Sequence, residues 1–333
     1  MGMKTFASSA GDHRSSGHHV GGLPTAGKED KMRIFVAGGS GAIGISLVRA
    51  LTASGHSVTA LTRSSHKQSE LRSLGATPAF ANALDRPALI AAVEAARPTH
   101  VIHELTALPK QGPRSPRDLN ATNLLRIEGT RNLLEAAINA GARRFVVGSF
   151  ALLAPREPDT TASDDEAAAA VRSMESQVME ATSKGLIEGV ILRYGMFYGL
   201  ETPSTVMMIE MVRKRWLPVV RDDEGQLPLI HVDDAVSATL AALNLAPAGS
   251  AYDIVDDQAV SMREIVEALA RYSRSAPPFK VPAWVPRLVA PYMARLTSMR
   301  MQLSNAKAKA ELGWHPKYST MREGLASMFS RAA

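Results

Sequence analysis

Residues 33–44 read Arg-Ile-Phe-Val-Ala-Gly-Gly-Ser-Gly-Ala-Ile-Gly, a short apolar run that passes straight into spaced glycines. Ile45, Leu47, Val48 and Leu51 then recur at helical spacing. A chain that leaves a strand through such a turn and enters a helix has few folds open to it. Glycine has no Cβ, so the backbone can reverse sharply and approach a ligand closely. The helix that follows aims its free N–H groups and the positive end of its dipole at the turn. Gly39, Gly41 and Gly44 fit G-x-G-x-x-G, and Gly38, Gly41 and Gly44 fit G-x-x-G-x-x-G. With a strand before it and a helix after it, the pattern predicts a pyrophosphate site at the start of a βαβ unit. The plain alternative is a glycine-rich turn with no ligand.

The next apolar run, residues 57–62, ends at Arg63-Ser64-Ser65-His66-Lys67. An NAD site usually places a carboxylate about 20 residues beyond the glycines, on the ribose 2′-hydroxyl. No acid occurs between Gly44 and Glu70, and Arg63 stands where the ribose should lie. A guanidinium there suits a 2′-phosphate, through charge-assisted bonds worth roughly 1.5–3 kcal/mol each. The expected cofactor is therefore NADP(H) in preference to NAD(H), although a solvated arginine at a strand end would read the same way.

Strands and helices alternate through the first half. Strands are expected at 33–37, 57–62, 77–80, 99–103, 144–149 and 189–193. Helices are expected at 42–54, 67–74, 86–96, 117–141 and 165–184. Buried apolar strands alternating with helices predict an α/β fold, a Rossmann-type doubly wound parallel sheet with the ligand beyond the strands' C-terminal ends. After residue 195 the alternation becomes irregular, and prolines and methionines accumulate. This predicts a smaller, mainly helical C-terminal substrate lobe. The expected division is an extension at 1–31, a dinucleotide-binding domain at 32–195 to which 229–257 return, and a lobe made of 196–228 and 258–333. Within the lobe, Leu288, Tyr292, Leu296, Met299 and Leu303 recur at helical spacing, either as lobe packing or as a greasy substrate pocket.

The 333 residues contain no cysteine, which excludes disulfides and thiolate chemistry. No histidine spacing suggests a metal site, and His13, His18 and His19 read as solvated. The net charge of +6 sits largely beyond residue 270, with no nucleic-acid motif and only 5% aromatics, so nucleic acid is not an expected partner. No apolar run reaches the roughly 18 residues of a membrane span, so no membrane association is expected. Residues 1–31 are rich in Ser, Gly and His without an apolar core, which predicts a disordered extension and cytoplasmic residence.

Further segments stand in a telling order: VAGGSGAIG (36–44), VIHELTALP (101–109), EGTRNLLEAA (128–137), RFVVGS (144–149), ILRYGMFYG (191–199), LIHVDDAVSATLAAL (229–243), AYDIVDD (251–257) and KAKAELGWHP (307–316). Together they resemble the extended short-chain dehydrogenase/reductase family, the NAD(P)-dependent epimerase/dehydratase-like group, over about residues 32–330. The resemblance implies that Gly38, Gly41, Ala42, Ile43 and Gly44 hold the pyrophosphate and that Arg63 and Ser64 meet the adenosine ribose. It implies Asn82 and Ala83 at the adenine, Leu105, Thr106 and Ala107 at the nicotinamide ribose, and Tyr194 beside the nicotinamide. Ser149 matches the family's active-site serine, and Asp233 suits a helix N-terminus. Family members often dimerise through the two long helices, here 117–141 and 165–184, where alanines 167–170 would permit close approach. A homodimer is expected.

The family also carries Tyr-x-x-x-Lys on the helix after the serine, the tyrosine as proton donor and the lysine to lower its pKa. None of the six tyrosines here has a lysine four residues on, and the helix at 165–184 has no tyrosine. Counting back from Arg193, the expected positions fall near Ala167 and Val171. A carbonyl that receives a hydride needs a positioned donor. The candidates are Ser149, Tyr198 and Glu175, with Tyr194, Glu104 and Arg172 behind them. Glu175 also reads as helix surface and Tyr198 as core. Arg126 is a further departure, standing where many relatives have asparagine. The expected activity is NADP(H)-dependent hydride transfer to or from a small or medium, apolar carbonyl or alcohol substrate. The alternatives are a nucleotide-sugar epimerase or dehydratase and a dinucleotide-binding sensor without turnover.

Overall fold

Strand β1 (Arg33–Ala37) lies in the middle of a sheet because four of its five residues are buried and apolar, with neighbours on both sides. The computed structural model describes residues 1–2, 31–109, 112–156 and 165–331, so the expected N-terminal extension lies almost wholly outside the described residues. From β1 the chain passes through the glycine turn into α1 (Ala42–Ala53), then β2 (Ser57–Thr62), α2 (Lys67–Ser73), β3 (Thr77–Phe80), α3 (Arg86–Ala96) and β4 (His100–His103). A helical run follows, α4 (Asn120–Leu124) and α5 (Thr130–Asn139), then β5 (Arg144–Phe150), α6 (Glu166–Ser183) and β6 (Glu188–Tyr194). These strands and β10 (Ser250–Ile254) form one seven-stranded parallel sheet, in the order β10-β6-β5-β4-β1-β2-β3. The order reverses between β1 and β4, which opens the crevice where such sheets bind ligands.

Each face of the sheet has its own core. Leu47, Val48 and Leu51 of α1 pack with Ile34, Val36 and Ile102 on one side, under α8 (Val232–Leu245). Leu89 and Val93 of α3 and Leu133 of α5 cover Phe35, Val101 and Phe145 on the other. These side chains are inaccessible to water, and burying each contributes about 1.5–3 kcal/mol. Arg144 at the start of β5 donates to the Ala242 and Leu243 carbonyls at 3.0 and 2.8 Å, placing a cation at the C-terminus of α8. At the other end of α8, the cap is the His231 ring, whose Nδ1 accepts from the Asp233 N–H at 3.1 Å. Asp233 sits in the first turn, and buried Asp234 accepts instead from the backbone of Lys317 and Tyr318.

The long helix expected at 117–141 is not uniform. It opens as a 3-10 turn at Pro116–Leu119, continues as α4, widens to a π-helical segment at Leu125–Gly129 and resumes as α5. The widened turn frees the Ile127 carbonyl, which accepts from Gln177 Nε2 on α6 at 3.1 Å. That bond, with Gly129 inside the segment, accounts for the departure from regular geometry.

Beyond β6 come β7 (Met196–Tyr198), α7 (Pro203–Arg213), β8 (Val219–Val220), β9 (Leu229–His231), α8 and β10. Then follow α9 (Met262–Tyr272), β11 (Lys280–Val281), α10 (Trp284–Val289), α11 (Pro291–Thr297), α12 (Ala306–Leu312) and α13 (Met321–Arg331). β7 pairs with β9, and β8 with β11. Segments α7, α9 and α13 share a core containing Ile209, Val212, Val266, Leu269, Leu325 and Met328. The stripe expected through 288–303 is broken at Ala290, next to Pro291. Leu288 turns to water at 76% exposure, whereas Tyr292 is buried. Among the described residues no helix is long and apolar enough to cross a membrane.

Candidate active site

The turn between β1 and α1 is closed by the Gly41 N–H donating to the Gly38 carbonyl at 2.9 Å. Gly38 has φ +92°, and a Cβ on it would come within 2.4 Å of the Glu104 carbonyl oxygen. A Cβ on Gly44 would lie 2.1 Å from the Gly38 oxygen. These two positions admit glycine alone. Gly41 precedes α1 without a side-chain cap, and the first turn has no acidic residue. The open N–H groups around Ala42, Ile43 and Gly44 therefore form a cradle that fits a pyrophosphate.

Ser40 Oγ lies 3.3 Å from Thr62 Oγ1, tying the turn to the end of β2. Arg63, the next residue, is exposed beside the turn, and Ser64 bonds to the His66 ring at 2.7 Å. Asn82 is exposed and accepts from the Leu84 N–H at 3.2 Å. Ala83 is buried, its carbonyl held by Asn132 Nδ2 at 3.0 Å.

The loop after β4 is fixed by His103. The Leu105 N–H donates to His103 Nδ1 at 3.2 Å, so Nε2 carries the proton and donates to Thr130 Oγ1 at 2.9 Å. Burial pushes the His103 pKa down to about 4 and keeps the ring neutral. The Ala107 N–H donates to Thr122 Oγ1 at 3.0 Å, and Thr106 stays exposed between the two anchors. Glu104 turns inward, its carboxyl packed against Gly148 and 3.3 Å from the Tyr194 hydroxyl. Burial pushes its pKa up to about 8.

Of the three candidate catalytic side chains, the structure joins two. Ser149 Oγ donates to Glu175 Oε1 at 2.6 Å, and Arg193 Nη2 donates to Glu175 Oε2 at 2.6 Å. Glu175 is 3% exposed, so it is not helix surface. Its carboxylate bridges α6 to the adjacent strands, where Ser149 and Arg193 are register partners. Tyr198 lies elsewhere, in the core shared with α13, its ring edge-on to His231 and its hydroxyl 3.5 Å from the Thr320 carbonyl. Burial, reinforced by the Asp256 and Asp234 carboxylates, drives its pKa far up. Tyr194 is fully buried at the end of β6, bonded to Thr239 at 2.8 Å and to Glu104. Arg172 on α6 is half-buried.

Two features of this region go beyond the sequence reading, which marks Arg126 only as a departure from the family and leaves its surroundings open. The first is a small cluster at the head of α6, made of Leu119, Ala167 and Tyr292 with Leu153 and Leu296 around them. The second is Arg126, which the π-helical segment turns inward. It is 7% exposed, and its Nη1 has no hydrogen-bond partner among the described residues. A separate groove lined by Arg213, Arg271 and Arg274 holds none of the expected site residues.

Residues 34–255 match the NAD dependent epimerase/dehydratase family. A 3-diazoavenalumate denitrifying reductase of a Streptomyces species is 35% identical to the chain, over 88% of this chain and 99% of that protein. A 4-hydroxy-2-methyl-3-oxo-4-farnesyl-3,4-dihydroquinoline-1-oxide ketoreductase of Stigmatella aurantiaca is 27% identical, over 88% and 95%. Among solved structures, the UDP-glucose 4-epimerase of Thermus thermophilus in complex with NAD superposes with a TM-score of 0.73 at 25% identity, covering 90% of this chain and 98% of that one.

Proposed function

The chain belongs to the NAD dependent epimerase/dehydratase family and is an NAD(P)-dependent oxidoreductase of the extended short-chain type, and from that premise we propose that it is an NADP(H)-dependent reductase of small or medium, largely apolar carbonyl compounds. The observation that carries this reading is the glycine cradle, closed to any Cβ at Gly38 and Gly44, in a chain that resembles named reductases over most of its length. A 2-alkyl-3-oxoalkanoate reductase of Stenotrophomonas maltophilia, 28% identical over 72% of this chain, adds a third named reductase.

Gly38, Gly41, Ala42, Ile43 and Gly44 hold the pyrophosphate in this reading, and Arg63 with Ser64 meets the 2′-phosphate. Asn82 and Ala83 border the adenine, and Leu105, Thr106 and Ala107 the nicotinamide ribose. When bound, the reduced dinucleotide supplies a hydride to the acceptor carbon. Ser149 and Glu175, locked to Arg193, keep the ends of β5 and β6 rigid beneath the acceptor. The reading includes a cytoplasmic homodimer through α5 and α6. The groove between them, lined by Leu134, Ile138, Ala181 and Leu186, supports it. Ala167, Ala168 and Ala170 are buried within their own chain, so close approach there does not rest on them.

The name of the Streptomyces relative favours a second reading, an aryl diazo acceptor. A hydride that displaces the diazo group gives the arene and dinitrogen and forms no alkoxide. That suits a helix α6 with Ala167 and Val171 at the family's Tyr and Lys positions. The test is steady-state oxidation of NADPH, followed by its absorbance, against ketones, aryl diazo compounds and nucleotide sugars. Oxidation with ketones supports the first reading, and nitrogen release with diazo compounds the second. Conversion of a nucleotide sugar without net cofactor change overturns both.

A further inference from the structure

We propose that Tyr292, carried by α11 of the C-terminal lobe, is the proton donor of the reaction, and that the buried guanidinium of Arg126 supplies beside it the positive charge that the family places on its lysine. The proposal rests on the carbonyl-reductase reading.

Room is the first observation. Ala167 is 2% exposed and Val171 is wholly buried, so the face of α6 that should present Tyr and Lys presents small apolar groups. The ring of Tyr292 packs against Ala167, together with Leu119, and is itself 7% exposed. A phenol from another element thus occupies the space beside the position the family gives to its own phenol.

Hydrogen bonding is the second. Of the six tyrosines, Tyr194, Tyr198, Tyr252, Tyr272 and Tyr318 each have a hydroxyl bonded within the chain. Tyr292 is the one whose hydroxyl bonds to none of the described residues. The ring is buried while the hydroxyl still reaches solvent, where water or a ligand can meet it.

Arg126 is the third. Removing a cation from water without pairing it is unfavourable by several kcal/mol. Nη1 is nevertheless buried and unpartnered, on a segment packed against α6. Its charge acts on the Tyr292 phenol. Burial and the Asp165 carboxylate push the Tyr292 pKa up, Arg295 and Arg126 pull it down, and the net direction is up. The phenol is therefore protonated through the neutral range, as a donor must be.

The step balances. Once the acceptor carbon has its hydride, the carbonyl π pair resides on oxygen, next to Arg126. The Tyr292 O–H bond breaks, its proton passes to that oxygen to give the alcohol, and the phenolate left beside Arg126 regains a proton from water. Alcohol oxidation, the reverse, requires the phenolate and so accelerates as pH rises.

The test compares wild type, Tyr292→Phe and Arg126→Gln. Tyr292→Phe is expected to lower kcat for ketone reduction about 100-fold or more, with NADPH affinity unchanged. It should also abolish the rise of alcohol oxidation with pH, and Arg126→Gln should move that rise to higher pH. A packing role alone would shift stability and leave the pH profile in place. The second measurement needs no turnover. Protein labelled with 3-fluorotyrosine is titrated by 19F NMR, with the Tyr292 resonance assigned by its loss in Tyr292→Phe. Arg126→Gln should raise its midpoint. Wild-type kcat and pH profile in Tyr292→Phe, or a Tyr292 midpoint that Arg126→Gln leaves unmoved, overturns the proposal. If wild type reduces no ketone the carbonyl reading fails, and the titration still judges the Tyr292–Arg126 pair.

Discussion

Replacing Glu104 by Gln should stabilise the protein, and increasingly so as pH rises. The carboxyl is packed against Gly148 and within 3.3 Å of the Tyr194 hydroxyl, and burial raises its pKa from 4.5 to about 8. The folded state holds the proton more tightly than the unfolded chain does. Stability from this group is greatest below pH 4.5 and is lost as pH climbs from 4.5 to about 8. At about 1.4 kcal/mol per pH unit, the loss is about 3 kcal/mol at pH 7 and levels near 5 kcal/mol above pH 8. Water reaches part of the residue and screens the charge, so about half of that, roughly 2 kcal/mol at pH 8.5, is the working value. Gln keeps the shape and still accepts from Tyr194, but it does not ionise. Thermal unfolding of wild type and Glu104→Gln at pH 5, 7 and 8.5 checks this. A Tm difference that widens from pH 5 to 8.5 by about 4–8 °C agrees with the reasoning. A difference that is the same at all three values would refute it, and with it the burial of an ionisable carboxyl at this place.

Three other expectations follow from the same geometry. Arg63→Asp should lower the NADPH-over-NADH ratio of kcat/KM about 10- to 100-fold, from the loss of charge-assisted bonds to the 2′-phosphate, and an unchanged ratio removes Arg63 from the cofactor site. Glu175→Ala leaves Arg193 and Ser149 without their shared partner and should destabilise the fold by about 3 kcal/mol in chemical denaturation, whereas a loss below about 1 kcal/mol means the bridge is not structural. Leu186→Asp, at a residue 52% exposed beside the α5–α6 groove, should convert a dimer to a monomer by light scattering after size exclusion. A monomeric wild type, or a variant that stays dimeric, excludes that interface.

The first half of the fold is legible in the sequence because its signals are local. The β1 run, the glycines and the apolar spacing of α1 lie within a single βαβ unit, and each strand of the sheet is a short apolar run between helical patterns. The site is harder to read for reasons that particular residues show. Glu175 reads equally well as surface, yet Val171 and Val178 stand four residues before it and three after it, which already puts it on the inward face. Tyr292 reads as one point of a stripe running from Leu288 to Leu303. Pro291 interrupts that stripe, so Leu288 faces water while Tyr292, with Leu296 beside it, packs into the cluster at the head of α6. Its partners Ala167 and Arg126 are remote from it in sequence and meet it only through tertiary contacts, which no periodicity encodes.

The widened turn at Leu125–Gly129 amounts to one residue more than a regular helix would need over the same rise. Each helical residue turns the chain by about 100°, so that surplus sets the angular offset between α4 and α5. Thr122, which anchors the loop after β4, and Leu119, which borders Tyr292, both lie ahead of it. Deleting one residue there would leave the sheet intact and swing that whole leading segment about a quarter-turn away from the loop and the lobe. The chain's chemistry is thus set partly by a count of residues, and a deletion scan across 125–129 would detect it as lost turnover in a protein that still folds.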